Sequence, residues 1–287
     1  MTIGNALDEA REQLKWAGVP EPQTDAEWLL AHALGCNRLQ IHIDGHESLP
    51  SSTRHQLDEL LARRAERIPL PHLLGNQEFM GLTFDVDKRV MIPRPETERL
   101  VETVIQVAQD CWPNIYLQLL DVGTGSGAIA VSLARLLNNP RLLATDISPD
   151  ALDVASRNAK RHKVDRNVTF LCGNLTNPIT AAPDQPTFHG IIANLPYIPT
   201  SEIGTLQPEL THEPCKALDG GRDGLSLINR LVLQSFILLK PNGFIALEVG
   251  IEQAQTVHSL LSENGFSNFV IHCDYNGVER VIVGFKQ

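Results

Sequence analysis

An α/β fold is what this sequence predicts: a mostly parallel sheet covered by helices on both faces, with a small helical domain ahead of it. Three observations carry that reading. Apolar positions over residues 1–75 have helical spacing, the stretch from Glu78 to Val90 switches to period two, and beyond Leu117 short apolar runs alternate with amphipathic stretches. Alternation of the last kind marks strands joined by crossover helices and buried on both faces. With 287 residues and 43% hydrophobic side chains, the chain can fill one main core and a smaller one. The expected division is a helical domain over 1–75, a β-hairpin linker over 76–92 and a larger domain over 93–287.

Within the first part, Ala6 to Trp16 reads as a helix, and Thr24 is the expected N-cap of a second from Asp25 to Leu34, ended by Gly35. After Pro50, Ser51 or Ser52 is expected to cap a helix whose Leu57, Leu60, Leu61 and Ala65 share one apolar face. The period-two segment sets Phe79, Leu82, Phe84, Val86 and Val90 among Gly81, Asp87 and Lys88, as a hairpin would. Pro93 and Pro95 precede a helix from Glu96 to Val107. Strands follow at Leu117–Val122, Arg141–Thr145, Val168–Leu171, Gly190–Ala193 and Phe244–Val249. Helices at Ala128–Leu137, Pro149–His162 and Leu225–Leu239 intervene, and the tail adds a helix at Gln253–Asn264 and an antiparallel edge at Phe269–Cys273 and Arg280–Phe285.

A net charge of -10 and a pI near 5.4 exclude a protein that holds nucleic acid mainly through a basic surface. Cys36, Cys111, Cys172, Cys215 and Cys273 are scattered, odd in number and without a Cys-x-x-Cys pair, so they are expected to be reduced core residues of a cytoplasmic protein, with no metal site. The start of the chain carries Asp8, Glu9 and Glu12 instead of a basic then apolar run, and no apolar stretch reaches membrane-spanning length. Neither a signal peptide nor a membrane span is expected.

Chemistry concentrates in two short segments. Asp121-Val122-Gly123-Thr124-Gly125-Ser126-Gly127 stands where the first strand of the larger domain turns into a helix, the edge at which open parallel sheets bind ligands. Glycine lets the main chain approach a ligand closely. Asp146 ends the next strand, where its carboxylate can accept both hydroxyls of a ribose. Asn174 and Leu175 follow the third strand and are placed to flank an adenine ring, or else serve as a polar turn and a core leucine. The spacing Gly123-x-Gly125-x-x-Ala128 also satisfies the dinucleotide fingerprint, so a nicotinamide cofactor stays open at this point.

The second segment is Asn194-Leu195-Pro196-Tyr197. An amide or exocyclic amino nitrogen is a poor nucleophile because its lone pair is delocalised. The Asn194 side-chain oxygen and the Leu195 main-chain carbonyl are two acceptors suited to its two N–H groups, while Pro196 stiffens the turn and Tyr197 packs against a planar group. Holding that nitrogen in line with a sulfonium methyl creates a near-attack arrangement. Loop and clamp together point to methyl transfer from S-adenosyl-L-methionine to nitrogen; the structural alternative is a tight turn with Tyr197 filling a core.

These residues make the chain resemble the peptide chain release factor N5-glutamine methyltransferases. The likeness extends through Pro69, Leu74-Gly75, Glu78-Phe79, Gly81-Leu82, and Ile92-Pro93-Arg94-Pro95-Glu96-Thr97-Glu98. It continues through His212-Glu213-Pro214, Ala217-Leu218-Asp219-Gly220-Gly221, Asp223-Gly224-Leu225 and Glu248-Val249-Gly250. The resemblance implies a five-helix N-terminal domain, a linking hairpin and a seven-stranded, Rossmann-like class I methyltransferase domain. It further implies a class 1 release factor as protein partner and the glutamine of its Gly-Gly-Gln tripeptide as substrate; a monomer without stable nucleic acid is expected beside it. By position, Gly123, Thr124, Gly125, Ser126, Gly127, Asp146, Asn174, Leu175 and Asn194 would touch the cofactor, and Asn194 to Tyr197 the glutamine. Three positions depart from the family: Leu195 stands where proline is usual, Asn174 where an acid is common and His72 where an aromatic residue is frequent. Since the role given to position 195 belongs to a main-chain carbonyl, activity is expected to survive.

The same tetrapeptide is similar to that of ribosomal RNA adenine dimethyltransferases, with related forms in DNA adenine methyltransferases. A non-catalytic adaptor and a dehydrogenase are weaker readings, the latter because no hydride-transfer acid or base stands out among ten histidines. Arg94 with Glu96, and His212 with Glu213, are readable as catalytic pairs but are expected to be structural, and Arg63-Arg64-Ala65-Glu66-Arg67 is expected to be a solvated helix face.

Overall fold

The computed structural model describes residues 1–113, 115–181 and 186–287, which form two units. One comprises Met1–Asn76 together with Gln207–His212, the other Gln77–Leu206 with Glu213–Gln287.

The first unit is helical: α1 (Ile3–Trp16), α2 (Pro22–Leu34), α3 (Arg38–Ile43), α4 (Ser51–Ala65) and α5 (Leu70–Leu74). Leu14, Leu29, Leu30, Ile41, Leu57 and Leu61 fill its core. Thr2 caps α1, accepting from the Asn5 N–H at 3.2 Å. Neither Thr24 nor Ser51 or Ser52 is a cap: α2 opens at Pro22, the position where a missing N–H is harmless, and Pro50 occupies the N-cap of α4. The basic stretch is solvated only in part: Arg63 and Glu66 are exposed, whereas Arg64 and Arg67 turn to partners. Arg64 is buried, pairs with buried Asp25 at 2.6 Å, and shares Glu209 with Arg67 at 3.0 and 2.7 Å.

In the second unit, β1 (Asn76–Phe79) and β2 (Leu82–Asp85) make a hairpin that ends sooner than the alternation predicted. Val86 and Val90 lie beyond it and pack on Ala151 and Val154, so burial without pairing explains the longer period-two signal. Then come α6 (Pro95–Cys111), β3 (Gln118–Val122), α7 (Ala128–Leu136), β4 (Arg141–Asp146), α8 (Pro149–Arg161), β5 (Val168–Cys172), the short α9 (Asn177–Thr180) and β6 (Phe188–Ala193). Three 3-10 turns between Thr200 and Ala217, the middle one (Pro208–His212) belonging to the first unit, precede α10 (Ser226–Leu238), β7 (Leu239–Glu248), α11 (Ala254–Glu263), β8 (Phe266–Cys273) and β9 (Glu279–Lys286).

Seven strands form one sheet in the order β5-β4-β3-β6-β7-β9-β8, parallel except for the pairings of β9. Successive side chains enter opposite layers: Leu119, Ile192 and Ala246 face one core with α6 and α7, while Leu120, Ile191, Ile245 and Leu247 face the other with α10 and α11. This two-sided burial produces the continuous apolar runs seen in the sequence. The cysteine expectation fails in part: all five are free thiols, but Cys111, Cys172, Cys215 and Cys273 are exposed because they sit at element ends or in a loop, and Cys36 is intermediate.

Candidate active site

The sheet order reverses between β3 and β6, so the loops after these neighbouring strands open onto one cleft. Register pairs Val122 with Ala193, which puts Gly123 beside Asn194. Gly123 has φ +78, and a Cβ there would stand 3.0 Å from Leu195 Cδ2 and 3.8 Å from the Asn194 carbonyl oxygen. Only glycine combines that backbone angle with that approach.

Beside this junction lies a cavity of about 560 Å³, within the range of roughly 300–1,000 Å³ typical of small-molecule sites. Gly123, Thr124, Gly125 and Ser126 line one wall, with Asp146, Asn174 and Leu175 at the ends of neighbouring strands. Asn194, Leu195 and Pro196 line the same cavity, together with Thr97 and the segment Pro214–Ala217. Two of the residues singled out in the sequence are not part of the lining. Gly127 caps α7 with φ +80 and lets the backbone of Ala155 on α8 approach, where a Cβ would meet Ala155 Cα at 3.2 Å. Tyr197 points elsewhere: its hydroxyl donates to Glu248 Oε1 at 3.4 Å, and its carbonyl accepts from Gln253 Nε2 at 3.0 Å.

Loop and acid are tied together before any ligand arrives. Asp146 Oδ2 accepts from the Gly125 N–H and Oδ1 from the Ser148 N–H, both at 2.9 Å, and burial raises its pKa. A carboxylate has about four lone-pair sites, so these bonds aim the group without exhausting it. Behind the loop, fully buried Asp121 accepts from Thr124 Oγ1 at 2.6 Å, and burial pushes its carboxyl up to about 7. Asn174 Oδ1 accepts from Arg230 Nη2 at 3.2 Å, and Leu175 sits in the left-handed region with φ 51.

On the clamp side, Asn194 Nδ2 donates to Thr97 Oγ1 at 3.0 Å. Thr97 in turn lies against Glu248, 2% exposed at the end of β7, whose carboxyl is pushed up to about 7 by burial despite the opposing pull of Thr97 and Arg280. Among the described residues, Glu248 Oε2 has no hydrogen-bond partner. Thr97 and Glu248 are the polar residues that pattern reading missed here; a carboxylate closing an apolar strand was the available signal. The Asp219–Gly224 loop supports the clamp from outside, since a Cβ at Gly220 would stand 2.6 Å from the Pro196 carbonyl oxygen.

The suspected catalytic pairs have structural partners. Glu213 is buried, ion-paired with Arg94, and accepts the Ile92 N–H at 3.1 Å. Among the described residues no group of His, Cys, Asp and Glu is arranged to hold a metal, and no helix is long and apolar enough to cross a membrane.

Two family models match the chain, the PrmC N-terminal domain over residues 5–75 and a methyltransferase domain over residues 119–211. The chain is 40% identical to the release factor glutamine methyltransferase of Geobacter sulfurreducens over 284 residues, 99% of this chain and 96% of that protein. Its identity to the protein of the same name from Moorella thermoacetica is 38% over 288 residues, 100% of this chain and 99% of that one. Among solved structures it is similar to a methyltransferase from Pyrococcus furiosus, with a TM-score of 0.53, 18% identity and coverage of 78% of this chain and 98% of that chain. A second likeness, to the N-terminal domain of human METTL16 in complex with SAH, has a TM-score of 0.53, 17% identity and coverage of 79% and 82%. At such identities the structural likenesses speak for the fold alone.

Proposed function

The chain belongs to the release factor glutamine methyltransferase family, and from that premise we propose that it methylates N5 of the glutamine in the Gly-Gly-Gln tripeptide of a class 1 release factor, using S-adenosylmethionine. Its larger unit has the Rossmann-like fold of class I methyltransferases, and the nicotinamide reading of the glycine loop falls with that assignment.

The residues present fit the cofactor. Gly123 and Gly125 form a cradle that side chains would fill, and Asp146 is held by two N–H groups at the same cavity wall, suited to ribose hydroxyls. Thr124, Ser126, Asn174 and Leu175 complete that wall; Gly127 supports it by packing. When bound, S-adenosylmethionine supplies an electrophilic methyl carbon on sulfonium sulfur. Asn194 and the Leu195 carbonyl then hold the substrate NH2 by two hydrogen bonds, orienting its lone pair, while Pro196 fixes the turn and Tyr197 braces it. The single observation that carries this reading is the adjacency of Gly123 and Asn194 across one cavity.

In this reading the protein works in the cytoplasm as a monomer and keeps no stable hold on nucleic acid, in line with its net charge of -10. Incubation with purified release factor and S-adenosylmethionine, followed by peptide mass spectrometry, is expected to place one methyl on the tripeptide glutamine. An unmodified glutamine alongside methylated RNA would overturn the substrate assignment in favour of adenine.

A further inference from the structure

We propose that Thr97 is a positioning residue that locks the Asn194 amide with its oxygen facing the cavity. The inference rests on the glutamine methyltransferase reading and concerns the one feature on which the clamp depends and which strand geometry leaves open.

An asparagine amide rotated by half a turn occupies nearly the same space but exchanges acceptor for donor. Only one orientation serves here, because an NH2 group offered to the Asn194 NH2 would face another donor. Asn194 Nδ2 lies 3.0 Å from Thr97 Oγ1. In that contact the amide nitrogen is the donor and the hydroxyl oxygen the acceptor, so the Asn194 side-chain oxygen is the atom left for the cavity. Among the described residues no group donates to Asn194 Oδ1, and Asn194 and Thr97 both line the cavity.

Thr97 is suited to this by its placement. It is 4% exposed in the first turn of α6, its N–H bonded to the Arg94 carbonyl at 3.1 Å. The helix behind it is anchored by fully buried Leu100, Val101 and Val104. The orientation of a side chain after β6 is thus set by the start of a helix nearly a hundred residues earlier in the chain, about 97 positions away.

The test compares Thr97→Val, which removes the hydroxyl at almost constant volume, with Thr97→Ser, which keeps it. For each, kcat and KM for methylation of a release factor, S-adenosylmethionine affinity by calorimetry, and Tm are measured. Thr97→Val is expected to lose about 10²-fold in kcat, as misplacement of a reacting group does, with cofactor affinity and Tm close to the parent. Thr97→Ser is expected to restore most of the rate. Parental kcat in Thr97→Val, or equal deficiency in Thr97→Ser, would overturn the proposal, as would a rate loss matched by lost cofactor affinity and Tm. If Thr97→Val does not fold, Thr97→Ala carries the same comparison. A parent protein that leaves the glutamine unmethylated would instead sink the functional reading itself.

Discussion

Asn194 holds its place through two neighbours of different kinds, a glycine beside its backbone and a threonine at its amide. Asn194→Ala should therefore bind S-adenosylmethionine as the parent does in calorimetry while turnover falls by about 10²-fold; an unchanged rate would remove the clamp. Asp146→Ala acts on the cofactor side of the cavity, and a Kd at least about tenfold weaker is expected, because a charge-assisted hydrogen bond contributes roughly 1.5–3 kcal/mol. Glu248 adds a pH signature. Its carboxyl rises from 4.5 to about 7 on folding, so the folded state holds the proton more tightly than the unfolded chain. The stability this brings is complete below pH 4.5 and disappears as pH climbs through about 7. In urea titrations, Glu248→Gln should gain on the parent by up to about 1.4 kcal/mol per pH unit across that window; parallel curves would show that the carboxyl titrates normally. Legibility at this scale followed chemistry type. The glycines, Asp146 and Asn194 announce themselves by spacing, whereas Thr97 and Glu248, although both stand in stretches that carry the family resemblance, matter through contacts distant in sequence.

Helices and strands were readable wherever burial imposes a period. All five strands predicted from Leu117 to Val249 exist, because a sheet covered on both faces demands unbroken apolar runs. Errors fell where a stronger local rule or a long-range partner intervened. Pro22 and Pro50 begin α2 and α4 ahead of the polar residues expected to cap them. β7 starts at Leu239, although Pro241-Asn242-Gly243 spells a turn, because a register shift between Phe188 and Gly190 accommodates the irregular stretch. Asn158 on α8 shows what joins these elements around the cavity. Fully buried, it accepts the Asp85 N–H at 2.7 Å and donates to the carbonyls of Asp85 and Ser126 at 3.0 and 2.8 Å, linking the hairpin to the glycine loop. Asn158→Ala strands three backbone groups and should cost about 3 kcal/mol in chemical denaturation. A loss under about 0.5 kcal/mol would mean that water replaces the amide.

Across the whole molecule, the larger unit is interrupted: the loop that begins with the clamp after β6 includes Gln207–His212, which belongs to the helical unit. Nothing in the composition of that stretch distinguishes it, so the sequence-based boundary near residue 76 could not anticipate it. Glu209 within it serves Arg64 and Arg67, and those guanidinium groups lower its pKa against the opposing effect of burial. Arg64 also has Asp25; Arg67 depends on Glu209 and the Gly18 carbonyl. A recombinant piece cut at residue 76 would thus be a domain missing its counter-ion. It should melt below the corresponding transition of the intact protein, with the deficit visible in calorimetric scans and partly relieved by a synthetic hexapeptide supplied in trans. Gene surgery on this chain has no clean seam, because the acid that neutralises one module is spelled out in the middle of the other.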